Sequence, residues 1–331
     1  MYITIIFKLY IFFSIFFMIY FIMKILITGG CGFIGSNLCK TLLNMNHTIM
    51  CVDNLFTGNL KNIEPFINHP NFIFNQHDVK NNFDFDFEPE QIYHLACPAS
   101  PIHYQPNSLD TLLTCINGTI NMLKLAHKTN ARILNFSTSE VYGDPNISPQ
   151  NENYNGNVNI NGPRSCYDEG KRISETLCTE YNKIKNVDIR IVRIFNTYGP
   201  NLNPNDGRVI SNFIMQALKN EDITIYGNGE QTRSFCYVDD LIDGLIKMMN
   251  CEKYYGPINL GNPNEMTIYE TAKIIINLTN SQSKIIFCDL PIDDPKQRNP
   301  DITKAIKYLN WKPTTSFEDG ILKTIQYFNQ F

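Results

Sequence analysis

Two short stretches of the chain hold residues whose types and spacing could do chemistry. In "STSEVYG", Ser137 to Gly143, a lone carboxylate, Glu140, follows Thr138 and Ser139 where the apolar run "ARILNF" should end. In "CYDEGKR", Tyr167 and Lys171 are four residues apart, which on a helix puts them on one face about a turn apart. A tyrosine must lose its proton to act as a base, and its ordinary pKa of ~10 is too high for that. A neighbouring ammonium favours the phenolate, so Lys171 is expected to lower the Tyr167 pKa. Taken alone, Y-x-x-x-K also fits a plain surface helix, and Glu140 also fits a satisfied strand-end acid.

A third stretch offers a place for a phosphate. "TGGCGFIGSNL" spaces Gly29, Gly32 and Gly35 as G-x-x-G-x-x-G, after a predicted strand and at the start of a predicted helix. Small residues let the backbone approach a pyrophosphate, which the helix N-terminus then binds; the bland alternative is a tight turn. The next predicted strand ends in Asp53, 18 residues after Gly35, where a carboxylate can accept ribose hydroxyls. It would repel a 2′-phosphate, so NAD is expected rather than NADP. Asp78 fits an adenine-side contact and equally a loop acid. Phe33 and Ile34 in the loop, Asn54, Phe56, Thr57 and Gly58 beyond Asp53, Val79, and Leu95 are assigned to the same cofactor.

These residues have to be held by regular elements. From Met23 short β-rich runs ("KILIT", "HTIMCV", "NFIFN", "EQIYHL", "ARILNF", "VDIRIVRI") alternate with segments of helical periodicity. Such alternation predicts an α/β fold, a Rossmann-type doubly wound parallel sheet with helices on both faces. The strands are near-continuous apolar runs, as expected when both faces are covered. After about Asn196 glycine and proline interrupt the pattern, which suggests a smaller C-terminal substrate-binding lobe. The expected division is 23–196 for the NAD-binding domain and 197–331 mainly for the lobe.

With a net charge of −4 and no basic stripe, the composition gives a nucleic-acid partner no support. Ten scattered cysteines without a C-x-x-C pair are expected to be buried, reduced thiols rather than metal ligands. His94 in "IYHLA" is expected to be a satisfied core residue. Asparagine is heavily used, which is attributed to nucleotide bias. Tyr2 to Met23 is almost wholly apolar and long enough to cross a bilayer. Yet "MKILITGG" reads as a complete first strand and phosphate loop starting at Met23, and an anchor would enter that strand with no linker. Residues 1–22 are therefore expected to be an upstream extension and the protein cytoplasmic. The alternative is a single-pass anchor of the Golgi type.

In this order, the glycine loop, "STSEVYG" and Y-x-x-x-K resemble the extended short-chain dehydrogenase/reductase superfamily. More narrowly, "YHLACPASP", "GPRSCYDEGKR", "RIFNTYGP", "DGRVISNFI", "QTRSFCYVDDL" and "DDPKQRNPDI" are similar to the UDP-glucuronic acid decarboxylases, over essentially all of 24–331. The resemblance implies a bound NAD that is reduced and reoxidised in each turnover. It implies that Tyr167 deprotonates the 4-hydroxyl of UDP-glucuronate and that Lys171 also holds the nicotinamide ribose. The 4-ketone so formed is β to the carboxylate, and carbon dioxide leaves to give UDP-xylose after reprotonation at C5. Thr138 would orient the substrate hydroxyl. Asn196 and Arg233 would contact the diphosphate, Gly207, Arg208, Val209 and Ser211 the nucleotide, and Tyr226 the uracil. Arg298 would hold the carboxylate or a phosphate oxygen.

Related nucleotide-sugar 4,6-dehydratases carry an Asp-Glu pair at this strand end, the aspartic acid protonating the departing 6-hydroxyl. Ser139 stands at that aspartate position and is far too weakly acidic for the task, while 4-epimerases typically lack the acid at the Glu140 position. Decarboxylation, with Glu140 handling a proton near C5, is therefore the expected reaction. The alternatives are a 4,6-dehydratase, a 4-epimerase, or a nucleotide-sugar-binding homologue without turnover. One departure stands out: where the family usually has Lys-Thr-Asn, this chain has Leu113-Thr114-Cys115, so a lysine expected to face the substrate is missing. The resemblance also implies a homodimer, built through first-domain helices that include the one carrying Tyr167.

Overall fold

The structure, a computed structural model, describes residues 22–289 and 297–331. The expected N-terminal extension or anchor lies outside the described residues, Ile22 excepted, as do the first four residues of "DDPKQRNPDI". Among the described residues no helix is long and apolar enough to cross a membrane.

Seven strands form one parallel sheet: β1 (Lys24–Thr28), β2 (Thr48–Asp53), β3 (Phe72–Gln76), β4 (Gln91–His94), β5 (Arg132–Thr138), β6 (Ile189–Ile194) and β7 (Ile258–Leu260). Their spatial order is β7-β6-β5-β4-β1-β2-β3. The order reverses direction at β1, the point at which open parallel sheets leave a crevice beyond the strand ends. Ile25, Leu26 and Ile27 are fully buried, as are Ile92, Tyr93, Ile133 and Leu134. Burial of one such aliphatic side chain is worth about 1.5–3 kcal/mol, so the sheet centre fixes where each strand ends.

The expected parallel sheet is present. Its seventh strand was not legible as one, because Ile258–Leu260 has three residues and sits among glycine and proline punctuation. It pairs parallel with β6 through Ile258↔Val192 and Leu260↔Ile194. The sheet thus takes an edge strand from the region expected to belong mainly to the lobe. Beside the seven-stranded sheet the described residues form small sheets of two or three strands, one of which places Arg298 in register beside Arg233.

Asparagine serves a purpose beyond composition. Asn130, Asn186, Asn280 and Asn310 end four helices in the left-handed conformation, with φ of 55°, 56°, 52° and 48°. After glycine, asparagine tolerates that conformation best, so it closes helices where other proteins use glycine.

Candidate active site

The carboxyl ends of β1, β2, β4, β5 and β6 open onto one cleft of ≈ 1010 Å³. It begins at the glycine loop. Gly29 has φ +72° and lies so close to the loop after β4 that a Cβ would sit 3.0 Å from the Ala96 backbone nitrogen. A Cβ on Gly35 would run into the Gly29 carbonyl oxygen. Gly32 is the N-cap of the helix Phe33–Asn44, which has no side-chain cap, so its first amides face the cleft mouth unhindered by side chains.

Asp53, 6% exposed, ends β2 beside this loop. Its carboxylate accepts the Cys31 amide at 2.9 Å and the Leu55 amide at 2.8 Å. Burial raises its pKa, and those two backbone N–H groups pull it back. The acid therefore ties the glycine loop to the end of β2 as well as lining the cleft. Backbone crowding that only glycine tolerates, free helix-start amides and an acid at the end of β2 together fit a dinucleotide pyrophosphate and ribose.

At the end of β5 the chain turns sharply. Thr138 caps the short turn Ser139–Tyr142, its Oγ1 accepting the Glu140 amide at 3.2 Å. The same threonine side chain lowers the Tyr167 pKa against the effect of burial. Tyr167 and Lys171 do share one face of the helix Ser165–Lys185, and both line the cleft. The Tyr167 ring stacks on Tyr104 at 5.1 Å with a 4° interplanar angle.

Contrary to the expectation from the Tyr167–Lys171 spacing, the Tyr167 pKa is raised and not lowered. Burial raises that pKa well above the ordinary tyrosine value, the thiols of Cys97 and Cys115 add to the rise, and the Thr138 hydrogen bond and Arg208 oppose it. The Lys171 ammonium instead donates to the Phe136 carbonyl at 2.7 Å and stands 5.9 Å from the ring centroid. The lysine is spent on tying the helix to β5, which leaves Tyr167 a neutral phenol in the protein's own field.

Glu140 is enclosed by cations. Its Oε2 accepts from Arg164 Nη2 at 2.7 Å and from Arg298 Nη2 at 3.0 Å. Desolvation pushes its pKa up, but Arg298, Arg164 and Arg233 outweigh that and hold it at about 2. Arg298, 2% exposed, also donates to the Gly143 carbonyl at 2.7 Å, so it clamps both ends of the turn. Arg208 donates to the Ala99 carbonyl at 2.8 Å and pairs with Asp206 at 3.0 Å, tying the loop after β4 to the segment Asp206–Arg208.

The sequence-expected residues are mostly brought together. Gly29, Gly32, Phe33, Ile34, Gly35, Asp53, Asn54, Phe56, Thr57, Val79, Leu95, Thr138, Ser139, Glu140, Tyr167, Lys171, Asn196, Gly207, Arg208, Val209, Tyr226, Arg233 and Arg298 line the cleft. Gly58, Asp78 and Ser211 do not. Gly58 lies beneath Asp53, a Cβ there meeting its Oδ1 at 2.8 Å. Asp78 is turned to Asn54 and Lys80. Ser211 is fully buried and donates to the Arg208 carbonyl at 3.0 Å. Leu113 also lies outside the lining, which instead takes Asp110 and Thr114 from the same helical run.

Sequence reasoning missed Arg164, Tyr104 and Asp168. Arg164 stands one turn before Tyr167 in "GPRSCYDEGKR", and that spacing was the available signal. Asp168 is buried, and its Oδ1 has no hydrogen-bond partner. Desolvation and the Glu140 charge raise its pKa to about 8 against Arg164 and Arg298. His94 is a satisfied core residue, meeting Thr28 Oγ1 at 2.9 Å and Thr119 Oγ1 at 3.2 Å. No group of acids, histidines and cysteines able to hold a metal occurs among the described residues.

Comparison with known proteins agrees with this geometry. The profile of the NAD dependent epimerase/dehydratase family matches residues 25–261. UDP-glucuronic acid decarboxylase 1 of Danio rerio is 52% identical over 307 residues, covering 93% of this chain and 73% of that protein. UDP-glucuronic acid decarboxylase 5 of Arabidopsis thaliana is 52% identical over 300 residues, covering 90% and 87%. Among solved structures, UDP-glucuronic acid 4-epimerase from Bacillus cereus, in complex with UDP-glucuronic acid and NAD, superposes with a TM-score of 0.83. It is 28% identical, with 93% of this chain and 99% of that chain covered.

Proposed function

The chain belongs to the NAD dependent epimerase/dehydratase family and, within it, to the UDP-glucuronic acid decarboxylases, and on that premise we propose how its cleft converts UDP-glucuronate to UDP-xylose through a 4-keto intermediate. NAD, when bound, supplies an acceptor for the C4 hydride and returns it within the same turnover. The glycine loop, the start of the helix Phe33–Asn44 and Asp53 would hold it. In this reading residues 23–196 serve the cofactor and 197–331 mainly the UDP-sugar.

One observation carries the choice of reaction. The end of β5 presents Ser139 and a glutamate kept ionised by arginines, so this strand end offers no acid to protonate a departing 6-hydroxyl. A 4,6-dehydratase needs such an acid. A decarboxylase does not, because the 4-ketone itself accepts the electrons that carbon dioxide leaves behind.

Tyr167 takes the proton of the 4-hydroxyl, for which it must first become a phenolate. Its pKa is raised in the protein's own field, so bound NAD and substrate would have to add to the lowering by Thr138 and Arg208 before the phenolate forms and can act as the base. Glu140 acts first through the guanidiniums it fixes. Arg164 and Arg298 are forked donors suited to a carboxylate or a phosphate oxygen. A carboxylate at about 2 is a poor proton acceptor, so its role at C5 requires that substrate draw one arginine away. Asn196, Arg208, Arg233 and Tyr226 line the remainder, where the diphosphate and uracil would lie. A homodimer through the helical run Ser108–Thr129 and the helix Ser165–Lys185 is supported by the exposed Leu109, Leu113, Ile173 and Ile184 they carry.

The test is to incubate the full chain with NAD and UDP-glucuronate and, separately, with UDP-glucose, and to weigh the products. Loss of carbon dioxide from the first supports the reading. Loss of water from the second indicates a dehydratase, an isomer of unchanged mass an epimerase, and no product a binding role.

A further inference from the structure

Two cysteines that the proposed mechanism does not use meet beside Tyr167. Cys97 lies three residues beyond β4, and Cys115 lies in a π-helical turn, Thr114–Gly118, that interrupts the run Ser108–Thr129. Their sulfurs are 3.3 Å apart. Cys97 faces the cleft, whereas Cys115 is 2% exposed. Cys115 is wedged against the Tyr167 helix: a Cβ on Gly170 would lie 3.0 Å from both its Cβ and its Sγ. The pair therefore bridges the loop lining the cleft and the helix that carries Tyr167 and Lys171.

Its electrostatics suit thiol chemistry. The S–H of Cys97 holds the Cys115 thiol below its ordinary pKa; burial opposes this and the Lys171 ammonium assists it. The other close sulfurs differ. Cys31 and Cys51 are 3.9 Å apart, both fully buried, and both pushed far up. The Cys115 sulfur and burial raise the Cys97 thiol well above its ordinary value, so thiolate character sits on the buried Cys115, placed to take a proton, and access on Cys97.

We propose that Cys97 and Cys115 are a peroxide-reactive thiol pair whose closure to a disulfide reversibly slows the enzyme. The Cys97 sulfur attacks a peroxide oxygen and the O–O bond breaks. The Cys97 proton passes to the Cys115 sulfur and then to the departing hydroxide, which leaves as water. The Cys115 thiolate next attacks the sulfenic sulfur of Cys97, forming the S–S bond and expelling the second oxygen as hydroxide. Two thiols have then lost two electrons to hydrogen peroxide. Disulfide geometry is narrow, so closure has to draw the loop after β4 toward the Tyr167 helix and shift the stack on Tyr104.

The slowing rests on the function proposed above, whereas the linkage does not. The full chain is treated with a small excess of hydrogen peroxide, its free thiols are alkylated, and the digest is examined by mass spectrometry beside activity. The expected result is a Cys97–Cys115 linked peptide, a several-fold loss of decarboxylation, and recovery with dithiothreitol. Cys97→Ser and Cys115→Ser should each keep most basal activity and resist peroxide. Recovery of both residues alkylated, or of Cys97 as irreversible sulfinic acid, would overturn the site. Peroxide sensitivity unchanged in both variants, or a linked peptide with full activity, would overturn the regulatory role. A linked peptide in a chain that never decarboxylates UDP-glucuronate supports the site and counts against the function.

Discussion

Arg298 reaches Glu140 across 158 residues of chain, Nη2 to Oε2 at 3.0 Å, although one sits on the two-residue strand Gln297–Arg298 and the other on the turn after β5. This contact joins the strand Gln297–Arg298 to the carboxyl end of the central sheet. It also makes Glu140 an ionised organiser before it can be anything else.

Replacing Glu140 with Gln tests that dual role. Folded Glu140 sits at about 2 against an ordinary value of 4.5. Its contribution to stability is thus fully present above pH 4.5 and lost as pH falls toward 2. Glu140→Gln should remove that acid-side dependence and destabilise the protein by about 3–5 kcal/mol at neutral pH, because buried guanidiniums lose their partner. Denaturant melts at several pH values measure both effects.

Asp168 has the opposite sign. Its folded pKa of about 8 lies above the usual 3.8, so the folded protein binds the extra proton, and stability falls as pH rises between those values. Asp168→Asn mimics the neutral form. It should match the wild type near pH 4 and melt higher above pH 8, by roughly 2–4 °C for each kcal/mol relieved. An unchanged difference across pH would place the charge elsewhere.

Tyr167→Phe keeps the stack on Tyr104 but removes the proton acceptor. Turnover should fall by about 10²–10⁴-fold or more, while UDP affinity, measured by calorimetry, stays within a few-fold.

Arg164→Ala should weaken UDP-glucuronate much more than UDP, with KM up by roughly 10–100-fold, the loss of one charge-assisted pair at ~1.5–3 kcal/mol. Competition between UDP-glucuronate and UDP-xylose for the variant measures whether the carboxylate is what Arg164 grips.

Gly35→Ala places a methyl against the Gly29 carbonyl. The purified variant should lose its NAD, read by extraction and absorbance, and unfold at lower temperature, because backbone in a tight loop cannot yield as a flexible side chain would.

Sequence by itself determined most of what is local. Six strands of the sheet, the glycine loop, Asp53 and the Tyr167–Lys171 spacing each follow from periodicity or from short-range geometry within one element. Ser139 and Glu140 were legible too, since a strand end needs no distant partner to be located. What the tertiary structure decided is what arrives from far along the chain. Only the fold brings Arg298 and Arg164 onto Glu140, stacks Tyr104 on Tyr167, diverts Lys171 to the Phe136 carbonyl and sets Cys97 against Cys115. Protonation states follow from those contacts, because burial and neighbouring charge are properties of the packed interior and not of residue order. Sequence therefore singled out the Tyr167–Lys171 pair and Glu140, and packing alone made Tyr167 a neutral phenol and Glu140 a caged anion.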